Sequence, residues 1–86
     1  MGCSNLTSVT IGNSVQTIGQ CAFNNCTSLT SITLQATTAP TIQNDTFGDV
    51  KTGGTLTVPT GSTGYDVWMR TGNYYLGKYG WTKVEQ

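Results

Sequence analysis

The chain has no histidine, and only four basic and four acidic residues among its 86. Each shortage excludes a class of function. Without histidine there is no ordinary general base, no common hydrolase triad and little basis for a zinc site. The four cations, Lys51, Arg70, Lys78 and Lys83, are scattered. A phosphate backbone would meet no basic stripe, which argues against nucleic acid as a partner. No apolar run approaches the roughly 20 residues of a membrane-spanning helix, so no membrane insertion is expected. Three cysteines cannot all pair with one another and read better as buried thiols than as a disulfide framework. Asp45, Asp49 and Asp66 lack the ligand density of a calcium loop, so they read as solvated turn residues. No catalytic set, metal site or cofactor is implied.

What the sequence does have is a phrase written twice. "CSNLTSVTI" at 3–11 returns as "CTSLTSITL" at 26–34, 23 residues later. The echo continues: Ile18 and Phe23 return as Ile42 and Phe47, and Ile32-Thr33-Leu34 returns as Leu56-Thr57-Val58, both 24 residues on. A fixed period of this size is the signature of stacked coils, none of which can bury its apolar residues alone. Within a coil, Val9 and Ile11 alternate with Thr10, the pattern of a strand with one buried face. Gly12-Asn13-Ser14 reads as a turn, Val15 and Ile18 are expected to point inward, and Cys21-Ala22-Phe23 fits a single helical turn on the far side. Cys3 and Cys26 hold equivalent positions and are expected to stack as small buried residues. Outward strand positions predict two columns of hydroxyls, one built from Ser8, Ser31 and Thr55, the other from Thr10, Thr33 and Thr57.

These units resemble the BspA-type leucine-rich repeats of bacterial surface proteins, whose outline is C-x-x-L-x-x-I-x-I, a turn, then I-x-x-x-A-F. Residues 3–58 follow it. The second coil departs, with Pro40 and Thr46 where the first has Gln16 or Thr17 and Ala22. The resemblance implies an α/β fold, a short leucine-rich-repeat solenoid of right-handed β/α coils. Two and a half coils with single-turn helices are expected over 1–58, with a C-terminal cap over 59–86 in the same domain. It further implies an extracellular or cell-surface location in a bacterium, and contact with an extracellular protein or glycan. Beginning in mid-phrase, the chain reads as the C-terminal part of something longer.

From Pro59 the period is lost and six of the eight aromatics appear. Ser62 or Thr63 is placed to N-cap a short helix running through Met69, with Asp66 favoured by its dipole and Gly72 ending it. Trp68, Tyr75 and Trp81 are the natural lid on the last apolar layer. Tyr74 and Tyr79 are the aromatics expected to stay exposed. With Thr10, Thr33 and Thr57 they are the candidate ligand contacts, and an aromatic patch that binds carbohydrate is the alternative reading of function. The first coil leaves Leu6, Val9, Ile11, Val15, Ile18 and Phe23 without an upstream neighbour. Self-association through that face, as a two-fold pairing of first coils, or else fraying there, is expected, and a sharp, concentration-independent monomer with a rigid first coil would count against it.

Overall fold

A computed structural model describes residues 5–19, 23, 25–43, 46–72 and 74–86. Four short strands form one parallel sheet in chain order: β1 (Ser8–Ile11), β2 (Ser31–Leu34), β3 (Thr55–Val58) and β4 (Thr82–Glu85). Parallel neighbours need a crossover. Here each crossover is a loop that runs round the back and returns one layer further on.

Repeated spacing becomes repeated register. Ser8, Ser31 and Thr55 pair across β1, β2 and β3, as do Val9, Ile32 and Leu56, and Thr10, Thr33 and Thr57. Alternation then sorts the faces. Ile32, Leu34, Leu56 and Val58 are fully buried, while their Ser and Thr neighbours face outward. The coils are also tied away from the sheet. Thr17 bridges Thr41, Thr38 bridges Thr63, and the amides of Phe23 and Asn25 donate to the carbonyls of Thr46 (2.8 Å) and Gly48 (2.6 Å).

One core runs through all layers, from Ile11 and Ile18 through Leu29, Ile32, Phe47 and Leu56 to Trp68, Leu76 and Trp81. Cys26 is fully buried within it, as its repeat position predicts; Cys3 and Cys21 lie outside the described residues. Phe23 stacks on Phe47 at 5.7 Å, and Phe47 meets Trp68 at 5.3 Å. Thr46, at the position of Ala22, is completely buried, yet its hydroxyl donates to Gly19 O (3.1 Å) and accepts from Gln43 N (2.9 Å). A polar side chain is tolerated there because both its roles are satisfied.

Two expectations are corrected. Residues 62–69 form no helix. Thr63 is instead held in its bridge, its amide donating to Thr37 O (2.8 Å), and Gly64 follows at φ +89°. The stretch after it is a run of turns in which Trp68, Met69 and Arg70 each bond back three residues. Of the helical turn expected at Cys21-Ala22-Phe23, only Phe23 is among the described residues; the helical element among those residues is a 3₁₀ turn at Leu76–Tyr79. Val15 does not point inward but is 38% exposed.

A fourth strand was not expected at all. β4 pairs with β3, setting Lys83 and Glu85 at the register positions of Leu56 and Val58. All four of its side chains are exposed. It satisfies the backbone edge of β3 without adding an apolar layer, and charge on an outer strand discourages further strand addition.

Candidate functional site

Two surfaces carry the expected contact residues. On the open sheet face, Thr10, Thr33 and Thr57 stand in one column and Ser8, Ser31 and Thr55 in the other. Thr82 and Val84 of β4 extend the two columns by one strand each. The strand spacing is about 4.8 Å. The face is therefore a close grid of hydroxyls and methyls, uncharged throughout its β1–β3 part.

The aromatics are more divided. Tyr74 is 47% exposed, with the Lys78 ammonium 5.6 Å above its ring. Tyr79 is half-buried and its hydroxyl accepts the amide of Asp49 at 3.0 Å, so that oxygen already serves the fold. That bond supports a left-handed turn, since Asp49 has φ 61°. Trp68 and Trp81 are buried, each with its indole N–H on a backbone carbonyl: Pro40 at 3.2 Å and Lys51 at 2.7 Å. Tyr75 is half-buried.

Among the described residues, no group of His, Cys, Asp or Glu could hold a metal ion. Asp49 and Asp66 are both exposed, and Asp45 lies outside the described residues. Tyr65 is buried, donates to Ala36 O at 2.7 Å, and has its phenol pushed above the usual value by burial. Its placement favours the neutral form in the folded state. That stabilisation is complete below the ordinary phenol range, near pH 10, and is lost as pH rises beyond it. Tyr65→Phe should therefore melt with a shallower alkaline decline than the parent, while losing about 1 kcal/mol at neutral pH. An unchanged alkaline limb would show that Tyr65 is not the group responsible.

A third surface was not anticipated. An open groove of about 620 Å³ lies between the backs of the first two coils, lined in part by Asn13, Val15, Gln16, Gln35 and Thr37.

The repeat geometry agrees with the comparison to known families. A family model described as "BspA type Leucine rich repeat region (6 copies)" matches residues 1–67. The chain belongs to the BspA-type leucine-rich repeats. Repeats of this type are typical of bacterial surface proteins and typically serve as non-catalytic binding modules. No curated protein and no solved structure matches the chain. The family accounts for the coils and for their parallel sheet. It assigns no ligand to the grid, to Tyr74 or to the groove.

Proposed function

We propose that this chain is a non-catalytic contact module displayed outside a bacterial cell, binding extracellular protein or glycan through its regular strand face. The observation that carries the reading is the Thr10, Thr33 and Thr57 column, held in register by the backbone rather than by its own side chains. Residues 59–86 serve this face from behind, placing Tyr65, Trp68, Leu76 and Trp81 in the core. The half-buried Leu6 and Val9 of the first coil suit the self-association expected from the sequence.

Fluorescently labelled chain applied to arrays of glycans and extracellular matrix proteins tests the reading. Binding should fall at least tenfold in Thr33→Arg, with circular dichroism unchanged. Full binding of every arrayed protein and glycan by that variant, or turnover of an arrayed molecule, would overturn it. A second reading places carbohydrate on the aromatic patch, and the exposure of Tyr74 favours it. In that case Tyr74→Ala abolishes glycan binding and Thr33→Arg does not.

A further inference from the structure

The strand register and the back register of the solenoid disagree by one residue per layer. Ile11 pairs with Leu34, an offset of 23, yet Thr17 bridges Thr41, an offset of 24. The second coil thus carries one more residue than the first between strand and bridge. The third repeats the step: Ser31 pairs with Thr55, an offset of 24, while Thr38 bridges Thr63, an offset of 25. The backs therefore cannot lie flush, and the shorter first coil leaves the groove open beside residues 35–41.

The lining of that groove is selective. Ala36 and Pro40 are buried and form an apolar floor. Asn13, Gln16 and Gln35 are exposed on its walls, and each amide both donates and accepts hydrogen bonds. Gln35 reaches across the gap: its backbone amide donates to Ile11 O (3.1 Å), and its Oε1 lies 4.0 Å from where a side chain on Gly12 would begin. Thr37 and Thr41 add hydroxyls, and among the described residues no ionisable side chain lines the groove.

Resting on the binding-module reading, we propose that this groove is a subsite for a neutral oligosaccharide. The donors and acceptors on the amides that line it match sugar hydroxyls. The small apolar floor, with Val15 at the rim, suits the C–H face of a pyranose. Its size lies within the range of small-ligand clefts, roughly 300–1,000 Å³. An anionic glycan gains nothing here, because no cation faces it.

The test is an amide NMR titration of the whole chain with cellohexaose, maltohexaose and chitohexaose, with polygalacturonate and a gelatin digest as the contrasting probes. One or more neutral sugars should shift the side-chain amides of Asn13, Gln16 and Gln35. The combined Gln16→Ala and Gln35→Ala variant, altered only at exposed positions, should bind at least tenfold more weakly, and Gly72→Ala should bind normally. Absence of shifts at millimolar neutral sugar overturns the proposal, as does preference for polygalacturonate or gelatin peptides in the groove. Sugar-induced shifts confined to the Thr10, Thr33 and Thr57 column or to Tyr74 overturn the groove while leaving the binding-module reading standing.

Discussion

Trp68→Ala should cost about 4 kcal/mol, lowering the melting temperature by roughly 15–30 °C. Trp68 is 1% exposed and stands where the periodic coils meet the aperiodic C-terminal segment. Its ring packs against Phe47 at 5.3 Å and edge-on to Tyr65 at 5.4 Å. Each such aromatic contact adds about 0.5–1.5 kcal/mol beyond the area it buries. Its indole N–H donates to Pro40 O, in the back of the second coil. Truncation removes the packing, leaves a cavity and strips a partner from a buried carbonyl at once. A whole domain has only about 5–15 kcal/mol of stability, so the variant is expected to be largely unfolded near its former midpoint. Trp68→Phe separates the contributions: it retains most of the packing but loses the hydrogen bond, costing about 1–3 kcal/mol. Thermal melts of the two variants give the ranking. A Trp68→Ala melt within a few degrees of the parent would mean that the segment around it does not share the core of the coils.

Residues 8–11, 31–34 and 55–58 were legible as strands because their alternating apolar residues recur at a fixed period, and both hydroxyl columns followed from that alternation. β4 was not legible. Its "TKVE" places Lys83 and Glu85 where earlier strands place Leu56 and Val58, erasing the alternation that marks a half-buried strand. What makes it a strand is the unsatisfied edge of β3, a tertiary cause. The helix expected from Ser62 to Met69 failed for a related reason. Thr63 looks like an N-cap in isolation, but the back of the second coil claims its backbone for a bridge. Val15 is exposed although its spacing is that of an inward residue, because periodicity assigns a face without saying whether a neighbouring layer covers it. Tyr79 shows the limit for candidate contacts. Its aromatic character was plain, whereas the commitment of its hydroxyl to Asp49, thirty residues away, required the fold. Tyr74, which makes no such bond to the core, fits the expectation of exposure.

Gly77→Ala should be more damaging than Gly54→Ala or Gly72→Ala. A Cβ there would overlap the carbonyl oxygen of Met69 and come within 2.7 Å of that of Arg70. Neither acceptor can simply swing aside, because Leu76 N donates to Trp68 O at 2.9 Å and holds the 3₁₀ turn against that stretch. The expected cost is about 3 kcal/mol, the upper end for overpacking. Gly54→Ala forces a different adjustment, since its Cβ would enter the indole ring of Trp81. That ring is a side chain and could rotate, but only by giving up its bond to Lys51 O. About 2 kcal/mol is expected, again within the overpacking range. The effect should be local as well: Thr82 N donates to Gly54 O at 3.0 Å, so displacing Trp81 loosens β4 from β3. Hydrogen exchange at Thr82–Glu85 should accelerate more than at Ser31–Leu34. Gly72→Ala provides the contrast, because no atom outside its immediate chain neighbours lies within 4 Å of the added methyl and its backbone needs no left-handed geometry. It should be neutral, or stabilising by a few tenths of a kcal/mol through the unfolded state. Should Gly77→Ala and Gly72→Ala melt alike, the 3₁₀ turn is not seated on residues 69–70. Trp81 and β4 would then hold the edge of β3 without the support described here.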